Sequence, residues 1–320
     1  MSKGSEIVFT ALRHAELRDY EVPALAENQI QGRTHSTLVS PGTELNWGYL
    51  GKDFPNRPGY ASVWEVERVG AAVTLYQPGD MVLSMAAHQS HPTATERDVV
   101  GVPAGLAPSR AVLARLMAVS MTTLFTTRAR TGDGVVVTGL GPVGLLAALM
   151  ARHCGYRVAG VDLDAQRREW ARQKDLKVHE VMPLEPWKEQ AALVMECSGH
   201  EQAVLDACGL LRRRGELVLI GVPWNRLTDL SAHQLLHAIF HRWIDLRSGW
   251  EWELPWEGSP SQPHSTRNSF ETALRWLSDG AVAVDDLCCK ASPTEAANFY
   301  EEIAQKQLAG LFPIFDWLSL

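Results

Sequence analysis

The residues best suited to chemistry form a glycine pattern in the middle of the chain, Gly139-Leu140-Gly141-Pro142-Val143-Gly144. The pattern follows a predicted apolar strand, Gly134 to Thr138, and leads into a predicted helix that ends at His153. In such a G-x-G-x-x-G turn, the first glycine permits a tight turn, the second admits a pyrophosphate, and the third lets the helix approach the strand. The helix N-terminus presents unpaired N–H groups to the phosphates. The pattern therefore predicts a dinucleotide-binding turn.

An acidic residue after the next predicted strand, Tyr156 to Val161, indicates which dinucleotide is bound. Asp162 follows Gly139 by about 20 residues, the spacing at which a carboxylate accepts hydrogen bonds from a ribose. A carboxylate here repels the 2′-phosphate of NADP, so NAD is the expected cofactor and NADP the alternative. Arg167 could contact the same ribose, or Arg167 and Arg168 together could hold a 2′-phosphate. A solvated helix face is the simpler interpretation of Arg168.

These residues need a parallel sheet to position them, and the pattern around them predicts one. Buried strands alternate with helices from Gly134 onward, which indicates a doubly wound α/β sheet. Residues 1 to about 108 instead contain short apolar runs broken by Gly/Pro turns at 41–42, 58–59 and 78–79, as in a compact β domain. The remaining predicted strands are Val63–Val69, Ala192–Cys197, Glu216–Val222, Trp243–Ser248 and Leu311–Trp317, and the remaining helices are Ser109–Thr131, Ala165–Lys174, Glu201–Leu211, Asn268–Ser278 and Pro293–Lys306.

Composition excludes several classes of protein. The 320 residues are 46% hydrophobic with a formal net charge of −7. Without a basic patch or a long apolar segment, we expect neither nucleic-acid nor membrane binding. The five cysteines contain no C-x-x-C pair and are expected to serve mostly as small apolar core residues, so a reducing cytoplasm is the expected location.

The order of these parts resembles the medium-chain dehydrogenase/reductase family. The matching motifs are Pro41-Gly42-Thr43-Glu44, Arg57 to Ala61, Pro78 to Val82, the glycine turn and Gly160-Val161-Asp162. The resemblance implies a GroES-like β-rich catalytic domain (1–118), a Rossmann NAD-binding domain (119–246) and a C-terminal return to the catalytic domain (247–320). It also implies a homodimer paired through the sheet edge near 242–248, beside a tryptophan-rich loop, and further cofactor contacts at Ser198, Gly199, Gly221, Val222, Arg247 and Ser248.

The sequence departs from the family at the metal. The family's zinc-ligating cysteine falls at Pro41, its histidine falls at Tyr60, and the next residue is Ala61 rather than glutamate. No cysteine precedes Cys154, so the lobe that binds structural zinc is also missing. His88 and His91 with Glu44 are too loosely spaced to indicate another metal site. The chain is thus similar to a zinc-less branch that includes bacteriochlorophyllide hydroxyethyl dehydrogenases and alcohol- or threonine-dehydrogenase-like proteins.

Without zinc, a side chain must stabilise the charge that develops on a substrate oxygen. Tyr60 is the first candidate, although it could be only a packed aromatic. His88 is the second, as donor or proton relay, although a surface loop histidine is the simpler interpretation. Glu44 could orient a donor, or it could be a structural acid in a salt bridge, which we favour.

The sequence therefore predicts zinc-independent hydride transfer between NAD(H) and an alcohol or ketone. Reduction of a quinone or an enone is the alternative within the same family. Nucleotide binding without turnover is the alternative outside enzymes.

Overall fold

A computed structural model describes residues 3–320 of the chain. The chain forms two compact units, Met1–Arg115 with Phe270–Leu320, and Leu116–Ser269. The predicted boundary at 118 lies close to the first division. The predicted boundary at 246 instead falls inside a strand of the second unit, Asp245–Ser248.

The first unit is built mainly from antiparallel strands. They are β1 (Lys3–Ala11), β2 (His14–Glu21), β3 (Gln29–Leu38), β4 (Ser62–Val69), β5 (Met81–Ser84), β6 (Thr93–Thr95), β7 (Val100–Gly101), β14 (Cys288–Ala291) and β15 (Phe312–Asp316). Strands β1 and β2 form a separate ribbon, and the other seven form one sheet in the order β14-β15-β3-β4-β5-β7, with β6 pairing β3. Within this sheet β14 and β15 run parallel to each other.

Large aromatic side chains fill a core of this unit between the ribbon and its last helix. Phe9, Tyr49, Tyr300, Phe315 and Trp317 are all buried there in one cluster. The Gly/Pro pair at 41–42, predicted as a turn, begins a helix instead. The helix α1 (Pro41–Thr43) begins here because the fixed φ of a proline at the first helical position suits helix initiation. It continues directly as a π-helix, Glu44–Tyr49.

The second unit is the predicted parallel sheet. Its strands are β8 (Gly134–Thr138), β9 (Arg157–Val161), β10 (Lys177–His179), β11 (Ala191–Glu196), β12 (Leu211–Leu219) and β13 (Asp245–Ser248). They lie in the order β10-β9-β8-β11-β12-β13, and the chain order reverses between β8 and β11. Strand β8 is buried along its whole length because helices cover both faces of such a sheet.

The helices agree with the sequence pattern except at α1, at two predicted helices that end early, and at Leu184–Trp187 and Ala232–Arg242, for which no helix was predicted. The α-helices that follow α1 are α2 (Pro108–Ala111), α3 (Ala114–Thr126), α4 (Pro142–His153), α5 (Ala165–Gln173), α6 (Leu184–Trp187), α7 (Glu201–Ala207), α8 (Ala232–Arg242), α9 (Thr266–Ser278) and α10 (Ala296–Gln305). None of the helices in residues 3–320 is long and apolar enough to cross a bilayer.

Local hydrogen bonds explain three of these differences. The predicted helix 109–131 is interrupted at 112–113 and ends at Thr126, where the Arg128 amide donates to the Glu216 carboxylate instead of continuing the helix. The predicted helix 201–211 ends at Ala207, after which the amides of Cys208 and Gly209 donate to carbonyls three residues earlier, those of Leu205 and Asp206. Helix α8 was not predicted, and the Ser231 side chain caps its start by accepting from the His233 amide.

The mixed α/β fold class, a β-rich unit plus a parallel doubly wound sheet, is confirmed.

Candidate active site

The glycine turn has the geometry that phosphate binding requires. Gly139 follows β8 with φ +77°, and a Cβ there would lie 2.8 Å from the backbone of Ser198. A Cβ on Gly144 would lie 1.8 Å from the Gly139 carbonyl oxygen, so helix α4 can approach β8 only with glycine here. A Cβ on Gly141 would meet nothing nearer than 3.8 Å. The backbone at Gly141 is therefore open to a ligand.

The start of α4 offers its amides to the same space. Gly141 caps the helix and supplies no side-chain acceptor, and Pro142 takes the first helical position, where no N–H is needed. Amides in the first turn of a helix lack internal partners and carry the positive end of its dipole. The turn fits the pyrophosphate of a dinucleotide.

Asp162 is held in a fixed orientation beside this turn. Its Oδ2 accepts from the Leu140 amide at 2.6 Å, and its Oδ1 accepts from the Asp164 amide at 2.8 Å. The Arg167 guanidinium lies 3.6 Å from Oδ2. Each carboxylate oxygen has two acceptor sites, so Asp162 can still accept bonds from ribose hydroxyls. Asp162, Leu140 and Arg167, all predicted as cofactor contacts, lie together.

Arg168 does not lie on a solvated helix face, and that interpretation was wrong. Its side chain is only 11% exposed and pairs with Glu180. It folds back onto the end of β9, where Nη1 donates to the carbonyls of Asp162 and Leu163 at 2.9 and 2.8 Å. Arg168 therefore stabilises the loop that carries Asp162.

The residues that follow β11 and β12 pack against one another at the same edge of the sheet. A Cβ on Gly199 would lie 2.6 Å from the Val222 carbonyl oxygen, and one on Gly221 would lie 2.4 Å from the Gly199 amide nitrogen. Since Ser198 also borders Gly139, the predicted contacts from the glycine turn to Val222 form a continuous surface. Ser248 lies at the end of β13, beyond β12, and its hydroxyl accepts from the Trp250 amide at 3.1 Å.

Sequence reasoning missed a buried carboxylate, Glu196, at the end of β11. It accepts from the amides of Ser198 at 2.7 Å and Gly199 at 3.1 Å, and also from the hydroxyls of Thr138 and Ser198. Its signal was a single acid at the end of an otherwise apolar strand. Glu196 fixes the turn that presents Ser198 and Gly199. Burial raises the pKa of the adjacent Cys197 thiol well above its usual range, so this thiol is not a reactive thiolate.

In the first unit, Glu44 and His88 form a buried pair at 3.0 Å. Glu44 also accepts from the Ser40 amide at 2.7 Å and from the Tyr300 hydroxyl at 2.6 Å. The other ring nitrogen of His88, Nδ1, lies 2.7 Å from the Thr37 hydroxyl. His88 is 0% exposed, so the interpretation of a surface loop histidine was wrong. The interpretation of Glu44 as a structural acid agrees with these contacts.

Tyr60 lies half-buried next to the segment that Glu44 holds. Its hydroxyl donates to the Thr43 hydroxyl at 3.3 Å. Burial raises the pKa of Tyr60, and the positive charge of Arg115 partly opposes that rise. The phenol is therefore protonated near neutral pH and can donate a hydrogen bond.

Arg115 is a second residue that sequence reasoning missed. Its guanidinium carbon lies 4.7 Å from the centroid of the Tyr60 ring, and the side chain is buried. A cation over an aromatic face is attracted by the ring quadrupole. In the sequence, Arg115 stands in the apolar first turns of α3, and a charged residue in such a segment indicates a buried partner.

The side chains at the family's zinc positions do not fit zinc. Pro41 and Ala61 have no donor atom, and the Tyr60 hydroxyl is bonded to Thr43. Within residues 3–320, no three His, Cys, Asp or Glu side chains converge to hold a metal. The alternative set of Glu44, His88 and His91 is not brought together either, since His91 bonds Ser90 while His88 bonds Thr37 and Glu44.

Comparison with protein families and curated relatives finds similarity over part of the chain. Residues 142–243 match a family model described as zinc-binding dehydrogenase. L-threonine 3-dehydrogenase of Saccharopolyspora erythraea is 33% identical over 112 residues, which are 32% of this chain and 33% of the relative. Sorbitol dehydrogenase of Halalkalibacterium halodurans is 30% identical over 132 residues, 38% of each chain. The threonine dehydrogenase matches thus span about a third of those relatives' length.

Solved structures share the fold over nearly the whole chain. Galactitol-1-phosphate dehydrogenase from Escherichia coli has a TM-score of 0.82 at 16% identity, covering 98% of this chain and 99% of that one. Alcohol dehydrogenase from Thermus sp. ATN1 gives 0.79 at 20% identity, and the NADPH complex of Escherichia coli quinone oxidoreductase gives 0.78 at 17%, with the same coverage. These matches agree with the resemblance to the medium-chain dehydrogenase/reductase family that the sequence motifs indicate, and they do not distinguish a zinc-less branch.

Proposed function

We propose that this chain is a medium-chain dehydrogenase/reductase and that it transfers hydride between NAD(H) and an alcohol or ketone without zinc. The observation that carries the proposal is Tyr60: a protonated hydroxyl stands where the family has a metal ligand. The bound nicotinamide would supply or accept the hydride, and the residues of this chain would do the rest.

The glycine turn and Asp162 would bind the cofactor. The open backbone at Gly141 and the first amides of α4 suit the pyrophosphate, and the Asp162 carboxylate suits the two ribose hydroxyls. A 2′-phosphate would lie beside that carboxylate, which favours NAD. Arg167, 3.6 Å from Asp162, is the feature that favours NADP, which remains the alternative.

Tyr60 would donate its proton in a hydrogen bond to the substrate oxygen as negative charge develops there. Such a donor contributes most when it is already oriented and shielded from water. The part-buried ring and the guanidinium of Arg115 over it support both conditions. Because the phenol has a single O–H, the hydrogen bond that it now donates to Thr43 would pass to the substrate oxygen. In reduction, the hydride from the nicotinamide would go to the carbonyl carbon and the proton of Tyr60 to the oxygen, and solvent would then reprotonate Tyr60. In oxidation of the alcohol, the same proton and hydride would move in the opposite direction.

Glu44 and His88 would act through Tyr60 rather than on the substrate. Both are buried, and both nitrogens of His88 already have partners. Glu44 bonds the Ser40 amide, at the start of the helical segment whose Thr43 contacts Tyr60. We therefore assign Glu44 and His88 as positioning residues, and Tyr60 as the catalytic residue.

The experiment that tests this function follows NADH and NADPH absorbance with hydrophobic secondary alcohols, ketones, quinones and enones, using protein treated with chelator. Turnover of an alcohol or ketone supports the proposal. Turnover restricted to quinones or enones would favour the alternative, since the structural neighbours include quinone oxidoreductases. Nucleotide binding with no turnover of any compound would favour a binding protein.

A homodimer is part of the proposal. Strand β13 is an edge of the parallel sheet, and unpaired strand edges favour pairing with another strand. Trp243 and Trp250 flank β13 and are 60% and 61% exposed. Exposed aromatic side chains of this size are typical of protein interfaces. A second copy would cover the edge and these rings. The cytoplasm remains the expected location, consistent with five free thiols.

A further inference from the structure

Helix α8 carries three histidines on one exposed face. His233, His237 and His241 follow one another at intervals of one helical turn, the spacing that places side chains side by side. The ring centroids of His237 and His241 are 4.2 Å apart, and those of His233 and His237 are 6.0 Å apart. All three side chains are exposed. We call this set the histidine row.

The row is not an ordinary charged, solvated face. The helix contains one other ionisable residue, Arg242, whose guanidinium approaches the Glu189 carboxylate at 3.9 Å. Leu236 and Phe240 are exposed on the helix besides the histidines, and Phe240 is 82% exposed. The Phe240 ring packs edge-on against His241 at 5.3 Å, which restricts that imidazole.

We propose that the histidine row binds one divalent transition-metal ion, held by the imidazoles of His237 and His241. Neutral imidazole is a good ligand for Zn²⁺, Ni²⁺ and Cu²⁺, and two histidines one turn apart on a helix can bind the same ion. In residues 3–320 no three candidate ligands converge, so water or another external ligand completes the coordination. His233, with the longer ring distance, is a weaker contributor.

The site is separate from the proposed catalytic function. Helix α8 connects β12 to β13, whereas the glycine turn connects β8 to α4, and Tyr60 belongs to the other unit. An ion held by the histidine row needs none of the residues assigned to hydride transfer. The proposal therefore holds or fails independently of turnover.

Calorimetric titration of the full chain, produced without an affinity tag and freed of metal by chelator, tests the proposal. The probes are Ni²⁺ and Zn²⁺ alone, because Cu²⁺ reacts with free thiols. We expect one saturable site per chain. His237→Gln and His241→Gln should each weaken binding at least about tenfold, which equals about 1.4 kcal/mol. His233→Gln should weaken it less. His14→Gln, an exposed histidine of the first unit, is the matched control and should change nothing.

A second measurement protects the result against a folding artefact. Because an ion that binds only the folded chain stabilises it, Ni²⁺ should raise the melting temperature of the wild type and of His14→Gln. The same ion should raise it little in His237→Gln, whose melting temperature without metal should equal that of the wild type. The proposal is overturned if there is no saturable binding, or if His237→Gln and His241→Gln bind as tightly as His14→Gln.

Discussion

The carboxylate of Glu44 and the imidazole of His88 lie 3.0 Å apart, and both are almost completely shielded from solvent. Every polar atom of the pair is used. On the histidine side, Nδ1 of His88 lies 2.7 Å from the Thr37 hydroxyl, which also accepts a hydrogen bond from Trp317 at 2.9 Å. On the carboxylate side, Glu44 accepts hydrogen bonds from the Ser40 amide and the Tyr300 hydroxyl. Such a network is satisfied as a unit, so removing one member leaves the others buried without partners.

The first prediction is that His88→Ala destabilises the protein strongly. The change would leave Glu44 and Thr37 short of a partner and open a cavity against Phe315, whose ring lies 5.3 Å from the imidazole. We expect a loss of about 3 kcal/mol in the free energy of unfolding, as for breaking a buried pair. Urea unfolding measures it, with the exposed His14→Ala as control. A change of less than about 0.5 kcal/mol, the usual effect of a surface substitution, would mean that the pair is not structural.

The cofactor turn could be predicted from the sequence, whereas this network could not. The turn is local: Gly139 to Gly144 and the strand before them are contiguous, and each glycine has a separate steric reason. Glu44 and His88 are 44 residues apart, and Tyr300 lies 256 residues from Glu44. Only the tertiary fold brings them together, since Glu44 lies in the π-helix, His88 in a loop and Tyr300 in α10. Arg115 and Glu196 were missed for a related reason, because a charge in an apolar segment identifies its partner only once the fold is known.

Helix α8 escaped prediction because its exposed residues do not have the usual polar character. Leu236 and Phe240 are exposed together with the histidines, so the apolar positions do not mark a single buried side. The apolar periodicity that identifies a surface helix is therefore blurred. The exposed histidines of this helix are also the proposed metal ligands.

The second prediction concerns the choice of cofactor. NADH should bind more tightly than NADPH. In Asp162→Ser the ratio of the two dissociation constants should fall by about tenfold, because a carboxylate that repels the 2′-phosphate is removed. Nucleotide fluorescence titration measures both affinities. Asp162 also accepts from the Leu140 amide, so Asp164→Ser, which alters the cap of α5 but leaves that contact, is the control. Tighter binding of NADPH by the wild type would contradict the assignment.

The third prediction is that chelation leaves catalysis intact. Pro41, Tyr60 and Ala61 cannot form a zinc site, so activity measured without added metal should survive treatment with chelator. Chelator should also leave the melting temperature of His237→Gln unchanged, because that variant lacks the ion proposed on α8. Zinc recovered from the purified protein should be lost in His237→Gln, which would place it on α8. Activity that disappears with chelator and returns with zinc would contradict zinc independence.

The fourth prediction concerns assembly. Light scattering at working concentration should give the mass of a dimer. Trp250→Arg, at an exposed position beside the edge strand β13, should shift the mass toward a monomer, because a charge beside the paired edge opposes association. Leu75→Arg, an exposed leucine of the first unit, is the matched control. A wild-type monomer would instead assign Trp243 and Trp250 to ligand binding.

The fifth prediction concerns Tyr60. Tyr60→Phe keeps the ring and its contact with Arg115 but removes the hydroxyl, so turnover should fall by roughly 10² to 10³ while the affinity for NADH is unchanged. Tyr20→Phe removes a buried hydroxyl elsewhere in the same unit, where it donates to the His91 carbonyl, and serves as the control. Full turnover in Tyr60→Phe would make Tyr60 a packing residue.

The pH profile separates the donor role from a structural one. Burial raises the pKa of Tyr60, so carbonyl reduction should be constant through neutral pH and decline only as pH rises through that raised pKa. The charge of Arg115 lowers the same pKa. Arg115→Met should therefore move the decline to higher pH, whereas Arg115→Lys, which keeps the charge, should move it less. If the decline stays in place in Arg115→Met and also persists in the residual activity of Tyr60→Phe, another group titrates, and Tyr60 is not the donor.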